Sequence, residues 1–210
     1  MPVGMIALLI AAVAVYFGLA ERALDRMRLT DRQALAVLVL IAVASLVNVN
    51  VVPGPVSLRV NLGGSLVPAA VAAWLWATAD TAREKTRTGA AVVITAGFMY
   101  ALARLMPAEP AQMFAEPTYL FGVTAGLVAY LVGRSRRGAF VAGVLGTVVQ
   151  DLAQYLSLLY RGVPGSTWLG GAGAFDTTVL AGLVGVAVAE MVGEVREAWQ
   201  GGPRNRGERL

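Results

Sequence analysis

Cysteine and histidine are both absent from the 210 residues. Without a thiol no disulfide can form, and without thiolate or imidazole the softer transition metals lose their usual ligands, which sets aside zinc, copper and haem chemistry. A cation site would have to use carboxylate and carbonyl oxygens, a donor set suited to Na⁺, Mg²⁺ or Ca²⁺. No metal site and no cofactor is assigned. Charge is scarce as well, at 14% of residues against 57% hydrophobic. Several uninterrupted apolar runs approach the roughly 20 residues that cross a bilayer, so the chain reads as a polytopic membrane protein whose first partner is lipid. The 17 basic and 13 acidic residues give a net charge of +4. In a membrane protein the position of those charges matters more than their sum, and they point to topology and not to nucleic acid.

Seven spans fit, at about 2–20, 33–50, 62–79, 89–105, 118–133, 139–159 and 177–194. Residues 2–20 lack a basic leader and run into a basic segment, so they are expected to be a retained span and not a signal peptide. With the N-terminus outside, the inward loops and tail collect 14 of the 17 basic residues, leaving Arg59, Arg104 and Arg161 outside. That asymmetry predicts an N-out, C-in bundle. The expected fold class is an all-α integral membrane bundle forming one domain over 1–199, with a disordered cytoplasmic tail at 200–210.

Local signals refine this picture. Glu21 to Leu29 continues the first span as a basic amphipathic piece at the inner interface. Thr30-Asp-Arg-Gln33 has the capping-box spacing that starts a helix. Val47 to Asn61 alternates apolar and polar residues on both sides of Pro53-Gly54-Pro55, which predicts an outer β-hairpin at 47–61. Such a hairpin either closes a site or offers an edge to an extended peptide. Gly122 and Gly126 form a G-x-x-x-G packing face, and Gly182, Gly185 and Ala189 form another. Trp74, Trp76 and Tyr100 read as packing or interfacial aromatics, and Glu190 lies near enough to a span end to reach the interface.

Polar groups inside the apolar spans gather toward their outer ends. The sixth span carries Thr147, Gln150, Asp151 and Gln154 on one stripe. Asp151 is about 12 residues, or about 18 Å, from the inner end. An ionisable group at that depth costs at least ~2.5 kcal/mol, so it is expected to face the protein interior and to have a function. Ahead of the seventh span, Leu169-Gly-Gly-Ala-Gly-Ala-Phe-Asp-Thr-Thr178 delivers a second carboxylate, Asp176, which is also a good helix N-cap. The third span begins with a matching Leu62-Gly63-Gly64 preceded by Asn61, and Gly-interrupted segments in corresponding places suggest two parallel repeats in a 3 + 1 + 3 arrangement. The candidate site is therefore Asn61, Gly63, Gly64, Gln150, Asp151, Gln154, Gly171, Gly173 and Asp176, lining a polar cavity that opens outward. The expected function is binding or transport of a small solute, cation or proton through this cavity, with Asp151 and Asp176 as its acidic groups; the alternatives are peptide hydrolysis by the two aspartates as catalytic pair and a non-catalytic membrane scaffold.

Three motifs occurring in order, Arg22-Ala-Leu-Asp-Arg-Met-Arg-Leu-Thr-Asp-Arg32, Asn61-Leu-Gly-Gly-Ser-Leu-Val-Pro68 and Gly170-Gly-Ala-Gly-Ala-Phe-Asp176, resemble a domain-of-unknown-function family, number 1614, of small prokaryotic multi-pass membrane proteins. The resemblance implies a multi-pass protein of the cytoplasmic membrane of a prokaryote, and no activity. A looser similarity is to presenilin-type and signal-peptide-peptidase-type intramembrane aspartyl proteases, which carry one Asp on a helix, a Gly-x-Gly-Asp on the next and a Pro-Ala-Leu elsewhere. Asp151, the glycines before Asp176, and Pro68-Ala69 stand in the matching places. Ala174 and Phe175 lengthen the glycine motif, and Ala70 replaces the Leu.

Overall fold

The computed structural model describes residues 29–106 and 116–199, together with Ile10 and Val13. The expected first span at 2–20, the amphipathic piece up to Arg28, the loop acid Glu109 and the 200–210 tail lie outside the described residues. Helix α1, Asp31–Ala44, starts where the capping-box spacing predicts: the Thr30 hydroxyl accepts from Gln33 N at 3.3 Å and Thr30 N donates to Gln33 Oε1 at 2.9 Å. The chain then leaves the helix and forms the expected hairpin, β1 at Asn48–Val52 and β2 at Val56–Asn61, antiparallel with Asn48 opposite Asn61 and Asn50 opposite Arg59.

A third strand was not anticipated. Gly165–Leu169, β3, lies parallel to β2, running from Gly165 opposite Val56 to Leu169 opposite Val60, so the sheet order is β1-β2-β3. After β2, a wide π-helical turn at Leu62–Leu66 leads into α2, Val67–Ala77, whose Pro68 sits in the first turn where no backbone donor is needed. Four further helices complete the described fold: α3 Ala82–Leu105, α4 Pro117–Gly133, α5 Arg136–Arg161 and α6 Thr177–Trp199.

Small residues set how these helices pack. Gly122 and Gly126 of α4 lie against Leu180 and Val184 of α6, which makes the two helices parallel and bears out the expected packing face. Gly138 and Gly146 of α5 lie beside Thr88 and Thr95 of α3, another parallel pair. Helices α5 and α6 run antiparallel: Arg136 pairs with Glu190, Ala139 meets Gly185, and Gly143 meets Ala181. The core between α2, α3, α4 and α5 is built from Ala72, Leu75, Ala91, Val92, Ala129, Val141, Ala142 and Val144. Alanines at the contacts let the backbones approach closely.

Among the described residues three helices are long and apolar enough to cross a membrane, Ala82–Leu105, Arg136–Arg161 and Thr177–Arg196, as befits a membrane protein. The expectation of seven such spans, and of an all-α bundle, is corrected here. The second expected span stops after 14 helical residues because Asn48 to Val52 is drawn into the sheet. The third is split into a π-helical turn and an 11-residue helix, and the fifth has 17 residues. At 1.5 Å per residue, helices of 11 to 17 residues reach only about 16 to 26 Å, short of a ~30 Å hydrocarbon layer.

Candidate functional site

The two Leu-Gly-Gly segments meet backbone to backbone at the ends of β2 and β3. A Cβ on Gly64 would overlap the Gly170 carbonyl oxygen, and one on Gly170 would overlap the Gly64 carbonyl carbon. Gly170 also has φ +68, the left-handed region in which a side chain is strained. Gly63 is pressed against the Ile41 carbonyl and the Ser45 backbone, and Gly173 against the Ser45 side chain. Asn61 locks this junction. Its Oδ1 accepts from Gly64 N at 2.7 Å, while its Nδ2 donates to Ser45 O at 2.6 Å and to Asn48 Oδ1 at 3.0 Å. Ser65 adds a cross-link, its hydroxyl donating to Asn61 O at 2.8 Å and to Leu169 O at 3.2 Å. Asn61 is 1% exposed with its amide committed on both sides, so it acts as a structural clamp.

The carboxylates lie next to this junction. The α5–α6 contacts climb through Arg136–Glu190, Ala139–Gly185 and Gly143–Ala181, so the next two turns of α5, carrying Thr147 and Asp151, reach the start of α6 and the turn before it. Asp176 stands at that point. Its Oδ1 accepts from Thr178 N at 3.0 Å, the N-cap bond expected of it, and its Oδ2 accepts from Ala172 N at 3.2 Å. Asp151 and Asp176 are within electrostatic reach of each other. Burial pushes the Asp176 carboxyl above its ordinary value, and the hydrogen bonds from Thr178 and Ala172 pull the other way.

Asp151 also lies beneath the sheet. Val148, Asp151 and Tyr155 are spaced i, i+3, i+7 on one face of α5, and Val148 and Tyr155 pack against Leu58 of β2 and Leu169 of β3. On the same inward side of β3, the buried Thr167 hydroxyl has no hydrogen-bond partner among the described residues. The far edge of β3 carries no further strand among the described residues. On the other face of the sheet, the Arg59 guanidinium lies 4.8 Å over the Trp168 ring.

The candidate residues thus separate into two groups. Asn61, Gly63, Gly64 and Gly173 build the junction, and Gly171 passes beside the Trp168 Cβ; their evident work is structural. Gln150, Asp151 and Gln154 are half-buried on α5, and Asp176 is half-buried at the start of α6. Thr147 is buried and returns its hydroxyl to Gly143 O and Val144 O of its own helix. Among the described residues no three acidic side chains gather where a metal could bind. Sequence reasoning missed β3, Thr167 and Tyr155. The signal for β3 was a five-residue run with Thr167 and Trp168 between Gly162, Gly165 and Gly170, too short to stand out beside the long apolar runs.

A family model described as a protein of unknown function, DUF1614, matches residues 15–188. The chain belongs to the DUF1614 family. The match takes in the whole α1-to-α5 region, both Leu-Gly-Gly segments and both aspartates, so the junction and the carboxylate pair lie within the DUF1614 domain. No curated protein matches the chain, and no solved structure does.

Proposed function

We propose that this DUF1614 protein is a di-aspartate peptidase acting on an extended peptide at the membrane. One juxtaposition supports the reading: two carboxylates whose charges interact, one of them on the α5 face that packs against the sheet, together with a β3 edge that carries no further strand among the described residues. An extended peptide adds to the β3 edge through main-chain hydrogen bonds, which hold its backbone straight and expose a carbonyl. Two nearby carboxylates share one proton because both cannot ionise cheaply at close range. The ionised member takes a proton from water while the oxygen attacks the peptide carbonyl carbon, and the protonated member donates to the carbonyl oxygen. The tetrahedral diol then collapses, the C–N bond breaks and the amine leaves with a proton from the pair. Water is consumed and one acid and one amine result.

The experiment is cleavage of quenched-fluorescence peptides containing an apolar span by the full chain in detergent. Wild type is expected to cleave, and Asp151→Asn or Asp176→Asn to abolish it, with the variants still folded by circular dichroism. Cleavage that persists in either Asn variant removes the pair from the mechanism, and a wild type inert toward every such peptide counts against the reading as a whole.

A second reading uses the same carboxylates. Gln150, Asp151 and Gln154 form a half-buried polar stripe on α5, a lining suited to a small solute, cation or proton. Flux into proteoliposomes that falls in Asp151→Asn, with no peptide cleavage by wild type, favours this reading over the first.

A further inference from the structure

A cleft of about 390 Å³ lies at the opposite end of the bundle from the sheet, where α3 and α5 begin and α4 ends. Arg83 and Arg87 of α3 line it, one helical turn apart on the same face, with Thr81, Glu84 and Ser135 around them. Arg87 is held in place, its Nε donating to Val132 O at 3.3 Å. Thr81 and Ser135 are the N-caps of α3 and α5, whose hydroxyl oxygens accept from Glu84 N and Gly138 N. Each hydroxyl therefore retains its own hydrogen to donate.

We propose that this cleft binds a phosphate group, presented by an anionic phospholipid headgroup or free in solution. Two guanidinium forks on one face match phosphate oxygens in pairs. The positive ends of the α3 and α5 dipoles, helices of 24 and 26 residues, reinforce the attraction. Glu84 opposes it with a single negative charge at the wall, and the cationic groups outnumber it. The cleft is at the end of the bundle that also carries Lys85 and Arg134, with Arg136 and Arg137 there paired to Glu190 and Asp80, and a basic pocket between apolar helices is suited to lipid headgroups. This inference uses no residue of the carboxylate site and stands or falls apart from the peptidase reading.

The test is native mass spectrometry of the full chain in detergent, titrated with phosphatidylglycerol and, as a charge-neutral comparison, phosphatidylcholine. Wild type is expected to retain phosphatidylglycerol in preference. Arg83→Gln should weaken that retention about fivefold and Arg83→Gln with Arg87→Gln about thirtyfold. Glu84→Gln should tighten it severalfold, a gain that misfolding cannot imitate. Inorganic phosphate that displaces the lipid with the same order of variants identifies free phosphate as a sufficient ligand; phosphate that fails to displace it identifies the lipid headgroup. Equal retention by wild type and the double variant, or a Glu84→Gln protein that binds no more tightly, overturns the proposal.

Discussion

The Gly170 carbonyl oxygen fills the space that a Cβ on Gly64 would need, and the Gly64 carbonyl carbon fills the space that a Cβ on Gly170 would need. The two Leu-Gly-Gly segments are therefore halves of one contact. Each follows a strand of a parallel pair, and each turns its chain into a helix. The second turn ends at Asp176, so the position of that carboxylate depends on the glycine contact behind it.

Gly64→Ala is expected to destabilise the protein by about 1–3 kcal/mol, since backbone on both sides must move to admit the methyl. Gly170→Ala adds the strain of its positive φ, about 1 kcal/mol more. Gly97 on α3 faces open space and should accept Ala without loss. Thermal unfolding of the three variants in one detergent checks the order, and a Gly64→Ala protein as stable as Gly97→Ala would contradict the contact.

Asn61→Ala should cost about 1–3 kcal/mol, because Ser45 O and Gly64 N lose their partner in a buried setting. Asn61→Asp keeps the acceptor for Gly64 N but loses the donor to Ser45 O, and it places a charge there. It should be at least as damaging. Chemical denaturation midpoints for the pair would show whether the clamp depends on both ends of the amide.

Burial raises the Asp176 carboxyl in the folded protein, so its contribution to stability is fully present below the unfolded-state value, about 3.9, and is lost as pH rises through the folded value. Asp176→Asn retains a capping oxygen and does not titrate. The stability of Asp176→Asn relative to wild type should therefore increase from pH 4 upward until Asp176 is fully ionised. Melting temperatures of both proteins across pH 4 to 8 give the measurement; a difference that stays flat, or runs in the opposite sense, would falsify the burial of this group.

Arg136 and Glu190 form an ion pair between α5 and α6 with side-chain exposures of 15% and 21%. Removing either charge should cost more than removing both, because the remaining one is left partly desolvated. A double-mutant cycle with Arg136→Gln and Glu190→Gln is expected to give a coupling energy of about 1–3 kcal/mol. Additive losses would show that the pair contributes nothing beyond its separate charges.

Composition and spacing alone determined much of this protein. The shortage of charge made the long helices apolar, Thr30 and Gln33 determined where α1 begins, the Val-Asn alternation around Pro53-Gly54-Pro55 made the hairpin, and the glycines at 122 and 126 made a packing face. Each is a local rule, decided by period, cap or turn within a few residues. Seven spans do not form among the described residues because apolar content does not say whether a segment will close its hydrogen bonds as helix or as strand, and Asn48 to Val52 found partners in β2.

Tertiary structure decided the rest. That β3 pairs with β2 and that Gly64 meets Gly170 are contacts between segments about 100 residues apart, and the antiparallel packing of α5 on α6 is what carries Asp151 and Asp176 toward the same end. They depend on which backbones can approach closely, and no local pattern encodes that. Asn61 shows the difference in a single residue: its amide beside two glycines reads as a ligand group in sequence, and the packed structure uses both ends of that amide to hold the chain together.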